Sequence, residues 1–286
     1  MSVIIDVFSG RPNPVLVVSE PLAQQVRELV LTRRRAAVAG WPSLALPLGF
    51  RGLVVEDSDD ASTMRLGIPG MSDAAEFDHV EELLRSLTEM SWPSELDRTT
   101  YDVIIEAVNA ARQWRGPLRD TPAADAPTTP QQDVQFEAEC PYSRLDFNPS
   151  AWNQFGIVQT NNCYNYGTNF RTNTFAQPGA GSGRRWSSIA CDAIGQAAVN
   201  DGARWLRDCV PPSGQPALAM ACVIWPGADY HWYRLHPRFW AHKPGQTPVR
   251  DTDDSGATIL NVETCNRGPY TQFCGYVWAA ANMRVA

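Results

Sequence analysis

Asp229-Tyr230-His231-Trp232-Tyr233-Arg234-Leu235-His236-Pro237-Arg238-Phe239-Trp240-Ala241-His242-Lys243-Pro244-Gly245 is the stretch on which the fold turns. Two aromatic-rich runs flank His236-Pro237-Arg238, which has turn chemistry. The reading is a β-hairpin with strands near residues 230–236 and 239–243 and with His236 exposed at its turn. In an antiparallel pair closing near Pro237, positions that sum to roughly 474 face each other. His231 then lies opposite residue 243, beside His242. Two imidazoles in cross-strand reach can serve as a general base and the group that orients it. The same residues also fit two satisfied histidines on a sheet face.

Upstream, Gln159-Thr160-Asn161-Asn162-Cys163-Tyr164-Asn165-Tyr166-Gly167 places a cysteine where a short helix begins. Unpaired N–H groups and the dipole at a helix start lower a thiol pKa, and the same groups can hold an oxyanion. Cys163 is therefore the candidate nucleophile, with the Gln159 and Asn162 side-chain amides as oxyanion or positioning donors. Tyr164, Trp232 and Trp240 are the aromatic candidates for contact with a substrate. A small buried cysteine among turn-forming asparagines is the competing reading of this segment.

The order of cysteine, histidine on a strand and a second polar residue on the next strand resembles the NlpC/P60 branch of papain-like cysteine peptidases and amidases, over residues 155–245. The resemblance implies Cys163 as nucleophile, His231 as base and His242 as its orienter. It also implies a papain-like domain, with a cysteine-bearing helix packed on an antiparallel sheet. The implied reaction is hydrolysis of a peptide, isopeptide or peptidoglycan-type amide through an acyl-enzyme, with no cofactor and no metal.

Residues 116–135 carry four prolines among alanines, threonines and aspartates, which reads as a linker. It divides an N-terminal domain, 1–115, from a candidate catalytic one, 136–286. The C-terminal part holds all the cysteines and seven of the ten tryptophans. Its pattern gives a short helix after Cys163, a longer one near 184–207, and strands near 217–225, 230–236, 239–243 and 273–279, an α+β arrangement. The N-terminal part reads as a small α/β recognition or scaffolding domain. It has strands near 3–8, 50–56 and 63–68, turn chemistry at 9–14, a helix after Ser19 carrying Leu22 and Val26, and helices near 74–90 and 94–114. His79, the one histidine there, falls on a helix surface.

Composition bounds the rest. The chain has 286 residues, 44% hydrophobic and 19% charged, with net charge -7 and pI near 5.1. A globular core fits, and no basic face for nucleic acid is evident; the run Arg33-Arg34-Arg35 reads as a solvated helix face. No stretch is long and apolar enough to span a membrane, and no signal-peptide pattern opens the sequence. The reading is a cytoplasmic protein, with export by a route lacking a cleaved signal left open. Seven cysteines leave at least one thiol unpaired within the chain. A Cys265–Cys274 bond is conceivable, though a reducing cytoplasm argues against it. The Gly-rich run at 178–183 suggests an anion-cradling nest. Asp251, Asp253 and Asp254 only loosely match a cation loop, and one of them is a candidate partner for His231. Alternatives to the hydrolase are a non-catalytic peptide- or carbohydrate-binding protein using Trp225, Trp232, Tyr233, Trp240 and Tyr270 as a platform, and a toxin or effector domain.

Overall fold

A computed structural model describes residues 1–32, 46–57, 62–69, 71–91, 98–114, 140–206 and 216–286. The linker at 116–135 and the arginine run at 33–35 lie outside the described residues. The chain divides into two compact units, Met1–Val7 with Asn13–Leu118, and Phe8–Pro12 with Arg119–Ala286.

The first unit contains β1 (Ser2–Asp6), β2 (Val15–Val17), β3 (Gly52–Asp57) and β4 (Ser62–Leu66), in the order β2-β1-β3-β4, every pairing antiparallel. Its helices are α1 (Glu20–Thr32), α2 (Ala74–Ser91) and α3 (Arg98–Gln113). The α/β expectation is corrected here to α+β: strands joined as antiparallel neighbours need no crossover helices. Strand β2 was missed because three residues are too few to show alternation. Leu22, Val26, Phe77, Val80, Leu84, Leu87, Ile104 and Val108 are all buried, as their helical spacing requires. Within this core the Asp6 carboxylate takes Arg51 at 2.7 Å and Arg65 at 2.9 Å, all three fully buried or nearly so. His79 is exposed and its Nδ1 bonds the Ala75 carbonyl of its own helix.

The second unit holds α4 (Ile157–Thr160), α5 (Cys163–Thr168), α6 (Cys191–Asn200), β5 (Arg204–Trp205), β6 (Ala217–Trp225), β7 (Asp229–Leu235), β8 (Trp240–His242) and β9 (Gln272–Ala280). Its sheet runs β5-β9-β6-β7-β8 and is antiparallel throughout. The hairpin register pairs Tyr233 with His242 and Leu235 with Trp240, one step from the expected alignment. Both β6 and β7 are buried at every residue, so the sheet is covered on both faces. One face packs Leu218, Met220, Cys222, Ile224, Tyr230 and Trp232 against Cys163, Tyr164, Ile194 and Ala198 from the helices.

Helix α6 is far shorter than the 184–207 expectation. Gly202 follows it at φ 109, a left-handed conformation that ends helices at little cost to glycine. A Cβ at Gly195 would sit 1.9 Å from the Trp205 ring, so the small residues of this helix serve to seat Trp205 of β5. Cys191, the first residue of α6, is disulfide-bonded to Cys274 of β9. This replaces the Cys265–Cys274 pairing considered above. Cys140 is also disulfide-bonded, and among the described residues Cys163, Cys222 and Cys265 are free thiols. No described helix is long and apolar enough to cross a membrane.

Candidate functional site

Cys163 does open helix α5, and Asn162 caps it: the Asn162 side-chain oxygen accepts from Tyr164 N at 3.0 Å and Asn165 N at 3.1 Å. The thiol, however, is completely buried in the apolar cluster under the sheet. Burial first, and the Asp229 charge second, push its pKa well above the ordinary value. That is the reverse of an activated thiolate.

The histidine pair forms as the hairpin predicts. His231 Nε2 lies 2.8 Å from His242 Nδ1. His242 Nε2 is 3.0 Å from both the Thr252 carbonyl and Arg250 Nε. A protonated Nε2 donates to the carbonyl, and a bare one accepts from the guanidinium. Burial, then Arg250, holds His242 well below the usual histidine range. Arg250 itself pairs with Asp254 at 2.7 Å. So an acidic residue of the 251–254 loop does support the pair, but through Arg250 and His242 rather than on His231.

Strand alternation separates the two halves of the expected site. Along β7, Tyr230 and Trp232 point to the face that holds Cys163. His231 and Tyr233 point to the other, where their rings meet His242 and Tyr270. The structure brings His231 to His242 and does not bring either to Cys163. The remaining candidates are committed elsewhere. Gln159 Oε1 accepts from Gly156 N at 2.6 Å, closing its own helix. Tyr164 donates its hydroxyl to Asp201 at 3.0 Å. Trp232 is a core residue and Trp240 stacks on Tyr276. Trp225, Trp232, Tyr233, Trp240 and Tyr270 are all buried, so the aromatic platform is corrected to core packing. His236 is corrected as well: it is buried, with Nε2 2.7 Å from the Tyr166 hydroxyl and Nδ1 2.7 Å from the Leu145 carbonyl.

Two buried carboxylates that the sequence reading passed over organise this unit. Asp201 fills the Gly-rich nest, accepting from Gly179 N at 2.7 Å and Ser182 N at 3.0 Å. The expected anion cradle is thus occupied by the chain's own side chain. Asp229 does the same for Phe8–Pro12. Its oxygens accept from Ser9 N at 2.5 Å, Gly10 N at 3.1 Å and Arg11 N at 3.0 Å, and from the Tyr270 hydroxyl at 2.6 Å. The Gly10 carbonyl in turn accepts from Asn162 Nδ2 at 2.7 Å, Gln177 Nε2 at 2.9 Å and the Tyr230 hydroxyl at 3.1 Å. A turn signal at 9–14 was legible, but its partners lie 152 to 220 residues away in sequence, beyond the reach of local pattern. Asp253 caps its own loop, taking Ser255 N, Ala257 N and Asn266 N. Among the described residues no group of three or more His, Cys, Asp or Glu is placed to hold a metal ion.

No family model and no solved structure matches the chain. It is 46% identical over 140 residues to "Insoluble matrix shell protein 1" of Ruditapes philippinarum, a match covering 49% of this chain and 93% of that protein. The matched length exceeds the first unit, so it takes in part of the second. This finding corrects the cytoplasmic expectation, because the relative is named for the matrix of a shell, which is not a cytoplasmic compartment. The Cys191–Cys274 disulfide agrees with the correction, since such bonds persist in oxidising surroundings.

Proposed function

The chain belongs to the same family as insoluble matrix shell protein 1, and from that membership we propose that it is a structural component of an insoluble extracellular matrix. The observation that carries this reading is a match over nearly the whole of that relative. The state of the C-terminal unit supports it: Cys163 is buried in the apolar core, and the histidine pair, Asp201, Asp229 and their tyrosines are buried and hydrogen-bonded to one another. Such networks hold a fold together and leave little free for a substrate. Sequential extraction of the tissue that makes the protein tests the proposal. Neutral buffer, detergent with chelator, and denaturant with reductant are applied in turn and followed by immunoblotting. Retention until the last step is the expected outcome, and full recovery in neutral buffer overturns it.

A thiol hydrolase is the competing proposal. In its favour, Cys163 opens a helix packed on an antiparallel sheet, the layout that the NlpC/P60 resemblance implies. Against it stand the burial of the thiol and a histidine pair on the opposite face. Iodoacetamide at neutral pH separates the two: selective alkylation of native Cys163 favours the hydrolase, and alkylation only after unfolding favours the matrix reading.

A further inference from the structure

The contacts of Phe8–Pro12 have the form of ligand recognition. Every backbone hydrogen-bonding group from Ser9 N to Arg11 N except the Ser9 carbonyl is met by a side chain of the C-terminal unit. The Asp229 carboxylate uses its full acceptor capacity on three successive N–H groups and the Tyr270 hydroxyl. One carbonyl, that of Gly10, receives three donors, from Asn162, Gln177 and Tyr230. Side chains contribute less: the Arg11 guanidinium lies over the Phe8 ring and donates to the Ala228 carbonyl at 3.1 Å. Recognition therefore reads the backbone, with one steric condition. A Cβ on residue 10 would sit 2.4 Å from both the Tyr230 ring and its carbonyl oxygen, so the centre of the turn must be glycine.

We propose that Asp229, Asn162, Gln177, Tyr230 and Tyr270 form a peptide-binding site for a glycine-centred Ser-Gly-Arg turn, with Phe8–Pro12 as its resident and exchangeable ligand. Emptied of that segment, the buried Asp229 carboxylate would keep the Tyr270 hydroxyl but lose three N–H donors, and Asn162, Gln177 and Tyr230 would lose their shared acceptor while keeping bonds to Ala176, Phe175 and Gln177. A second peptide of the same chemistry satisfies them equally well. The resident segment competes from the same chain at high effective concentration, so the site is hidden until that segment is weakened. This site is independent of the matrix reading and stands or falls separately from it.

The test uses the full chain carrying Gly10→Ala and a fluorescein-labelled peptide, Val-Phe-Ser-Gly-Arg-Pro-Asn-Pro, copied from residues 7–14. Fluorescence anisotropy should show saturable one-to-one binding, roughly ten-fold or more tighter to Gly10→Ala than to the unmodified chain, whose site is filled. The same peptide with alanine in place of glycine should bind neither. Equal binding to both chains, equal binding of the two peptides, or no binding to a Gly10→Ala chain with native circular dichroism overturns the proposal. Should Gly10→Ala fail to fold, Arg11→Ala takes its place. That change removes one side-chain anchor while sparing the backbone, and the same outcomes decide.

Discussion

At position 10 one added methyl group would collide with Tyr230, and at position 229 exchange of the one oxygen Oδ2 would undo three hydrogen bonds. Asp229→Asn keeps the shape but turns an amide toward backbone N–H groups, leaving buried donors facing a donor. A loss of about 3 kcal/mol in urea unfolding, followed by tryptophan fluorescence, is the expected outcome. Cys163 gives a different kind of residue-scale prediction. As a core residue it should tolerate Cys163→Ala at a cost of roughly 1 kcal/mol, from a small cavity. Cys163→Ser should cost more, because it buries a hydroxyl among apolar side chains. Thermal melts that rank serine above alanine in stability would contradict this account and point to a polar role for the thiol.

Between elements, a disulfide joins α6 to β9 and closes a separation of 83 residues. Chain-entropy reasoning puts its contribution at about 4 kcal/mol. The Cys191→Ala/Cys274→Ala chain should therefore melt well below the oxidised protein, and reductant should shift the oxidised protein further than this variant, which keeps the Cys140 disulfide. In the other unit, Asp6 ends β1, opposite Gly52 of its neighbour β3. Burial pushes its carboxyl up, but Arg51 and Arg65 outweigh burial and hold it below its ordinary value. Removing that charge in Asp6→Asn strands two buried guanidinium groups, with an expected loss of about 3–5 kcal/mol. The strands themselves were legible from sequence: 217–225 reads as an apolar run bounded by Pro and Gly, and Pro237 at the turn placed the 231/242 pair within one residue of its true register. Which face each histidine would take was not. Strand β7 is buried on both sides, so no polar-apolar alternation marks one side as inner. The dyad with Cys163 depended on that parity, and it fell on the other face.

For the molecule as a whole, pH is the sharpest global lever. Burial first, then the Arg234 charge, lowers the His236 pKa to about 4 from an ordinary 6.5. Below pH 6.5 the unfolded chain takes up a proton that folded His236 refuses, so stability is full above that value and is lost as the pH falls toward about 4. The shift corresponds to about 3 kcal/mol. Buried His242 acts in the same direction. Asp229, raised chiefly by burial, acts in the opposite one, since its folded form binds a proton more readily and gains relative stability as the pH falls. Comparing urea midpoints of the wild-type chain and His236→Gln between pH 7 and 4 isolates the first contribution, and an unchanged pH slope would refute it. Composition had set the acidic, globular character correctly but said nothing of compartment. The signal lay in the pairing of Cys191 with Cys274, a contact that sequence spacing does not reveal.

The place of β9 between β5 and β6 has a consequence for how the protein is made. A ribosome delivers β6, β7 and β8 long before residue 280, yet their sheet lacks an inner neighbour until β9 emerges. During that interval the edge of β6, apolar along its whole length, is bare, and Cys191 waits without Cys274. The C-terminal unit therefore closes only after β9 has been synthesised, and until then the β6 edge is open to intermolecular pairing and the Cys191–Cys274 bond cannot form.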